Sequence, residues 1–504
     1  MADIGGVTVA ALLRRYAADP GRVFAVLDGG PTVTYAEQLA HSLRVAAGLA
    51  ARGARPGDRV HVQLPNCREF LDVWFATALS GTVLVPTGPQ SSADELAHVL
   101  ADAGPVISLV DIAGVRALAD DPQGRPSDGT APGEQPGPDD VAAVLYTSGT
   151  TSRAKGVVVT AANYVAVGEA VARHLDVTDR DRWLVALPLF HANAQYYCVM
   201  SALVRGASFA LAPRFSASGW GRQARELGAT LGSLFAAPLR MVLAQRPDPR
   251  AADNALRAVL FAQDLAAADA QAFESRYGTR LLQLYGMTET VLPPTMNPDD
   301  ATRRWDSIGR PLPGVRIDLL DEQGEPFDEP GRVGEMRVAG VPGRTLAAGY
   351  WQDPEATAAA FTPEGLRTGD LARRDADGFL SFVDRSKDMI KRAGENVSAG
   401  EVERVAGEHP GVAECAAVGV PDSVRDEAVL LVAVPRSGAE LDVDELVEWC
   451  RQRLSPFKVP SAVVLASALP RTSVGKIRKA ELRALMPSWP THRAATAAGT
   501  RRKA

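Results

Sequence analysis

The sequence predicts an α/β protein: a large N-terminal domain of doubly wound mixed sheets plus a β-barrel-like section, followed by a small α+β C-terminal domain. Three observations predict it. Residues 20–118 alternate short apolar runs such as "RVFAVL", "RVHVQLP" and "VLVPT" with helical patterns such as "YAEQLAHSLRVAAGLAARG" and "EFLDVWFATALSG". That is the order of a parallel sheet covered by helices on both faces. Past Pro311 the strands shorten and alternate, as in "VRIDLLDEQGEP" and "VGEMRVAG", which fits an antiparallel section closing the larger domain. After "GFLSFVDRSKDMIKRAGENVS" a new α+β run begins. The boundaries therefore fall at 1–385 and 386–490, with 491–504 left as a disordered tail.

In chain order, "MADIGGVTVAALLRRYAADP" reads as a short amphipathic helix. It has an acid at Asp3, no basic leader, and an apolar run broken at Arg14 and Arg15, so it is not a signal peptide. Residues 120–140 are rich in turn formers and acids and almost free of large apolar side chains, a flexible surface connection. The strand pattern resumes with "AAVLYT" and "GVVVT" and continues through "WLVALPLFH", "ASFALAP", "ATLGSLFAAP", "LRAVLFAQ" and "RLLQLYG". The 504 residues carry a net charge of −6, with basic residues spread along the chain, which disfavours nucleic acid and anionic membrane as partners. No window approaches the ~20 apolar residues of a membrane span, and the expected location is cytoplasmic. Cys67, Cys198, Cys415 and Cys450 form no C-x-x-C pair. They read as core or half-buried thiols rather than a disulfide framework or a structural zinc site.

The stretch "LYTSGTTSRAKGVVVT", residues 145–160, sets small, hydroxylated and glycine residues between two strands. A backbone that wraps phosphate oxygens needs small side chains, so that several N–H groups converge, and hydroxyls or a cation to reach the anion. Ser148, Gly149, Thr150, Thr151, Ser152 and Lys155 supply these. The Walker pattern is not met, because Ala154 precedes the lysine and Gly156 follows it. Taken alone, the stretch also suits a polar hairpin turn.

"YTSGTTSRAKG" resembles the phosphate-loop signature of the adenylate-forming superfamily: acyl-CoA synthetases, aryl-CoA ligases, firefly-type luciferases and the adenylation domains of peptide synthetases. "LPLFH", "LYGMTET", "GYW", "RTGD", "FVDRSKDMIKRAGENVSAGEVE" and "PRTSVGKIRK" follow in order, each similar to a core motif of that superfamily. "TSRAKG", "RRWDSIG" and "FVDRSKDMIKRAGENVS" are most similar to carnitine- and crotonobetaine-type CoA ligases. The resemblance implies attack of a carboxylate on the α-phosphorus of ATP, loss of pyrophosphate, and transfer of the acyl group to a thiol. It implies ATP, Mg²⁺ and CoA (or the phosphopantetheine of a separate carrier protein), and a monomer or homodimer.

Residue by residue, the resemblance places Thr147, Ser148, Gly149, Thr150, Thr151 and Lys155 at the β- and γ-phosphates. It stacks Tyr285 on adenine with Gly286 beside it, sets Thr288 on the α-phosphate, and gives Mg²⁺ to Glu289, a hard cation suited to carboxylate and phosphate oxygens. Asp370 and Arg385 are implied at the ribose and Lys391 at the nucleotide. Lys476 is implied as the catalytic lysine bridging the carboxylate and α-phosphate, a compact ammonium that can follow charge between oxygens. Arg478 and Lys479 beside it read as solvated charges. Lys387 takes the hinge position about which the mobile C-terminal domain of such enzymes turns after adenylation.

Some positions depart from the pattern. Ser152 and Ala154 stand where many relatives have glycine and proline, leaving a less rigid loop. The strand before "LYGMTE" runs into "LFAQDLAAAD" rather than a glycine-rich "GGA" or "GSA". Gln263 and Asp264 thus come to the substrate wall, against a plain fatty acyl chain. With His191, also counted as catalytic, and with Asn193, Gln195, Tyr196, Phe235 and Met287, they form the candidate pocket for a small polar or aromatic acid. Each polar member suits a satisfied place in the core equally well. Two other readings stay open: a non-thioester second step or an unusual oxyanion such as nitrite, giving an amide or N–N bond, and a catalytically silent nucleotide-binding homologue. Retention of Glu289, Asp370, Arg385 and Lys476 together stands against the last.

Overall fold

A computed structural model of the chain describes residues 6–121, 136–147, 154–385, 388–392, 395–422, 426–436, 438, 440–471, 477–485 and 492–493. Among these the strands form four sheets. The largest runs in the order Arg310–Pro311, Thr295–Met296, Arg280–Tyr285, Ala258–Ala262, Leu231–Phe235, Arg182–Val185, Ser208–Leu211, Val23–Leu27, Thr32–Thr34. Its strands from Arg280–Tyr285 to Val23–Leu27 are parallel, and antiparallel strands flank them. The parallel strands read as continuous apolar runs because both faces are covered.

The second sheet is ordered Gly349–Tyr350, Lys155–Thr160, Val141–Thr147, Val83–Pro86, Arg59–Val62, Ile107–Leu109. One apolar core joins it to the first sheet through the helices Arg68–Ser80 and Ala161–His174, burying Trp74, Phe75 and Tyr164 completely. Helix starts are set locally. Thr34 with Glu37, Ser92 with Glu95 and Thr160 with Asn163 form reciprocal capping boxes. The expected amphipathic helix is Val9–Ala17, capped by Thr8, with Val9, Leu12 and Leu13 buried.

The short alternating strands past Pro311 form an antiparallel sheet that ends in Gly365–Arg374 and Leu380–Arg385. The fourth sheet belongs to the C-terminal domain and includes Met389–Arg392, Val412–Asp422, Asp426–Pro435 and Ala462–Leu465. At its edge, His492 and Arg493 pair with Val463 and Ala462. Two further strands are shorter than their apolar runs. "WLVALPLFH" leaves the sheet after Val185 and soon enters a π-helical turn, Asn193–Val199, while "ATLGSLFAAP" stops at Phe235, where helix Ala236–Leu243 begins. Cys198 and Cys450 are buried, Cys67 and Cys415 half-buried, and all four are free thiols. No helix among the described residues is long and apolar enough to cross a membrane.

Candidate active site

A cleft of about 3250 Å³ is lined by both domains. On its wall, Asp370 and Arg385 are cross-strand partners in the antiparallel sheet, and Tyr285 reaches them from the end of its parallel strand. Tyr285 Oη donates to Asp370 Oδ2 at 2.6 Å, and Arg385 Nε lies 3.1 Å from Oδ1. Asp370 is 2% exposed, so a phenol and a guanidinium hold a carboxylate in one orientation. Burial, and then the Asp370 charge, push the Tyr285 phenol well above its usual range, so it stays a neutral donor. Phe382, 43% exposed, lies near-parallel to the Tyr285 ring with centroids 6.5 Å apart. This offers the cleft a flat apolar face beside the carboxylate.

Beyond Tyr285 the chain turns tightly. Thr290 Oγ1 accepts from the Met287 N–H at 3.0 Å and donates to the Met287 carbonyl at 2.9 Å. Buried Val291 follows at φ +55°, a left-handed conformation that a β-branched residue adopts only where its surroundings impose it. The turn buries Glu289 against Tyr350, whose Oη donates to Glu289 Oε1 at 3.1 Å. Lys155 Nζ lies 4.9 Å from the centre of the same Tyr350 ring. One phenol therefore gathers a buried carboxylate and the phosphate-loop lysine.

The "GYW" segment reaches that place because Tyr350 pairs with Val157 in the second sheet. Its neighbour Trp351 packs on Gly156, where an added Cβ would come within 2.6 Å of Val144 Cγ1 and 3.2 Å of Trp351 Cβ. Glycine after the lysine is thus a packing requirement of this fold, which accounts for the departure from a Walker loop. Gly286 is constrained likewise, since a Cβ there would lie 2.5 Å from Tyr197 Oη. Thr147 and Lys155 are cross-strand partners that close the loop 148–153.

At the domain junction, buried Asp384 accepts from Ser398 Oγ at 3.0 Å and from the Gly400 N–H at 3.1 Å. It ties the last strand of the large domain to helix Ala399–Gly407. Lys391 is exposed at the cleft, its backbone N–H donating to Glu427 Oε2 at 2.7 Å. Lys479 is not the solvated charge that the sequence suggested, and Arg478, about a third exposed, is ion-paired. Arg478 pairs with Glu95 and Glu481, while Lys479, 14% exposed, meets Glu403 at 2.8 Å. Burial opposes the Lys479 charge, but Glu403 and behind it Asp384 and Asp388 hold it above the usual lysine range. Ser148, Gly149, Thr150, Thr151, Ser152, Lys387 and Lys476 lie outside the described residues.

Comparison with known proteins places the chain in a family. The AMP-binding enzyme family model matches residues 13–351, and that of the AMP-binding enzyme C-terminal domain matches residues 401–476. The chain belongs to the AMP-binding, adenylate-forming enzymes. Crotonobetaine/carnitine–CoA ligase of Salmonella paratyphi B is 35% identical over 470 residues, 87% of this chain and 91% of that protein. ATP-bound MatB from Rhodopseudomonas palustris superposes with a TM-score of 0.85 at 30% identity, covering 96% of this chain and 99% of that one. O-succinylbenzoate CoA synthetase (MenE) from Bacillus subtilis, in complex with ATP and magnesium ion, gives 0.83 at 28% identity, covering 96% and 100%. Within the family the chain is an AMP-forming acid:CoA ligase, of the carnitine-type flavour that its motifs resemble.

In this adenylate-forming enzyme, no group of three or more His, Cys, Asp or Glu among the described residues is placed to hold a metal ion. A single buried carboxylate, Glu289, fits Mg²⁺ that takes its remaining ligands from phosphate and water. Thr288, half-buried, is its neighbour in the turn.

The candidate acid pocket divides. His191, Phe235, Gln263 and Asp264 line the cleft. Met287 packs against the core of the antiparallel sheet. Asn193 is 7% exposed and accepts from Ser233 Oγ at 2.9 Å. Gln195 and Tyr196 are turned inward by the π-helical winding and do not line the cleft. Gln195 accepts from Tyr164 Oη at 2.5 Å and donates to the Leu189 carbonyl at 2.7 Å, so its amide serves the core. Tyr196 packs edge-on to Tyr164, its buried hydroxyl without a hydrogen-bond partner among the described residues.

Gln263 has φ +78° and its carbonyl accepts from Gln283 Nε2 at 2.9 Å, a left-handed backbone conformation that favours glycine. Gln263→Gly removes a left-handed penalty of about 1–2 kcal/mol and adds about 0.5–1 kcal/mol of unfolded-chain freedom. A net stabilisation of about 0–1.5 kcal/mol is expected in urea unfolding, and a loss of stability would contradict it.

Proposed function

We propose that this ligase uses ATP to activate a small polar acid as its acyl adenylate, releasing pyrophosphate, and then passes the acyl group to CoA. The observation that carries the reading is the Tyr285–Asp370–Arg385 arrangement. A buried carboxylate oriented by a neutral phenol and a guanidinium, beside an exposed aromatic face, suits a ribose with its purine.

In this reading Asp370 accepts the ribose hydroxyls, Arg385 and Lys391 contact the nucleoside end, and Tyr285 with Gly286 borders the base. Thr288 donates to the α-phosphate. Thr147, Ser148, Gly149, Thr150, Thr151 and Lys155 take the β- and γ-phosphates. Glu289 would hold Mg²⁺, which would neutralise charge on the phosphate oxygens. Lys476 bridges the attacking carboxylate and the α-phosphate, where fixed donors in a dry site are most effective. The carboxylate oxygen forms a P–O bond as pyrophosphate leaves; the CoA thiol then attacks the acyl carbon, and AMP leaves. Lys387 is the hinge between the two steps. His191, Asn193, Phe235, Gln263, Asp264 and Met287 border the acid, and the two polar residues at 263 and 264 favour an acid with hydrogen-bonding groups over a bare alkyl chain.

The test is pyrophosphate release from ATP with crotonobetaine, L-carnitine, o-succinylbenzoate, benzoate, butyrate or nitrite, with and without CoA. Release with a polar acid, and a thioester only when CoA is present, is the expected result. No release with any of them overturns the reading. Release that CoA never converts to a thioester replaces it with an amide- or N–N-forming second step.

A further inference from the structure

Helix Ala93–Ala103 touches the surroundings of both loops on which adenylation depends in the reading above. Its start is locked by a capping box, with Ser92 Oγ accepting from the Glu95 N–H at 3.2 Å and Glu95 Oε2 accepting from the Ser92 N–H at 3.0 Å. One turn on, His98 Nε2 donates to the Ala154 carbonyl at 2.8 Å, where the phosphate loop re-enters its strand. At the far end, Asp102 Oδ2 accepts from Tyr146 Oη at 2.5 Å, just before the loop begins. The helix thus grips both ends of the loop 148–153.

The remaining oxygen of Glu95, Oε1, meets Arg478 Nη2 at 2.5 Å across the domains. Arg478 stands at the base of the Lys476 loop. Its N–H donates to the Pro470 carbonyl at 2.8 Å, and Arg471 and Ile477 pair as a bridge. Arg478 also meets Glu481 at 2.9 Å, one turn along its own segment.

We propose that Glu95 is a positioning residue for adenylation: through Arg478 it docks the base of the Lys476 loop on the helix that holds both ends of the phosphate loop. Lysine and phosphates are then registered against one rigid element. Side-chain exposures of 36% for Glu95 and 32% for Arg478 make this a modest, salt-sensitive pair. Such a contact suits a domain that must also leave. The proposal rests on the assignment of Lys476 to adenylation.

Glu95→Gln tests it cleanly, because glutamine also completes a capping box while removing the charge. Arg478→Ala removes the other partner. With the best acid of the panel, each variant is expected to lose about two- to fivefold in single-turnover adenylation at low salt. The double variant should be no worse than the worse single, the loss should vanish at about 0.5 M salt, and thioester formation from a preformed adenylate should be unchanged. Hydrogen exchange without acid should rise across 477–485 in both variants while 93–103 stays protected. Equal loss in both half-reactions, additive losses, or unchanged exchange would overturn the docking role. If the wild type releases no pyrophosphate with any acid, the adenylation assignment fails instead, and the exchange data decide the docking contact alone.

Discussion

Lys476→Ala is expected to lower the rate of pyrophosphate release by about 10²–10³, the typical loss when one preorganised donor to a developing oxyanion is removed. The same variant should convert a preformed acyl adenylate to its CoA thioester at close to the wild-type rate. The split follows from where charge develops. In the first step negative charge shifts from the attacking carboxylate to the phosphate oxygens, and one mobile ammonium can serve both. In the second step the thiol attacks the acyl carbon, and the phosphate is only the leaving group. Single-turnover pyrophosphate release and thioester formation from synthetic adenylate, measured on the same preparation, separate the steps. Equal loss in both would place Lys476 outside the adenylation step. The unfolding midpoint of Lys476→Ala should match the wild type, which separates a catalytic loss from a folding defect.

What the sequence made legible was whatever chemistry lies in contiguous motifs. Alternating strands and helices gave the layered fold, and "RTGD" with "FVDR" brought Asp370 and Arg385 forward as a pair. The structure sets them as cross-strand partners. What escaped was every contact that depends on distant segments meeting. Tyr350 lies 61 residues from Glu289, and Arg478 lies 383 from Glu95. Nothing in either motif names its partner. The capping box at Ser92 could have been read from its spacing, but only as a helix start. Polar residues near the pocket looked alike in sequence. The π-helical winding decides that Gln195 and Tyr196 point to the core, while Gln263 and Asp264 stay at the cleft. Gln263 shows a partial signal: departure from glycine was visible, but the φ of +78° behind that preference was not.

Lys479→Met is expected to show the opposite profile to Lys476→Ala: it should destabilise the C-terminal domain by about 3 kcal/mol and leave the chemistry of the folded enzyme intact. That is the low end of the cost of breaking a buried ion pair, chosen because Glu403 keeps 22% of its side-chain surface. Methionine preserves volume, so a cavity is not the cause. Without the lysine, Glu403 keeps the Ala417 N–H at 2.8 Å, and the Asp384 charge faces it unopposed. Burial already pushes the Glu403 carboxyl above its ordinary range, and loss of the cation pushes it further. The folded state then holds a proton that the unfolded state releases, so stability falls as pH rises from the unfolded value of about 4.3 toward the folded one. The deficit of the variant is therefore smallest near pH 4 and grows toward pH 7 in urea unfolding. Adding Glu403→Gln should return part of the loss at pH 7, because a neutral amide needs no counter-charge. A deficit below about 1 kcal/mol, within the range of exposed pairs, would mean that Lys479 is solvated. The two lysines stand three residues apart in the sequence, and their variants should fail in opposite assays.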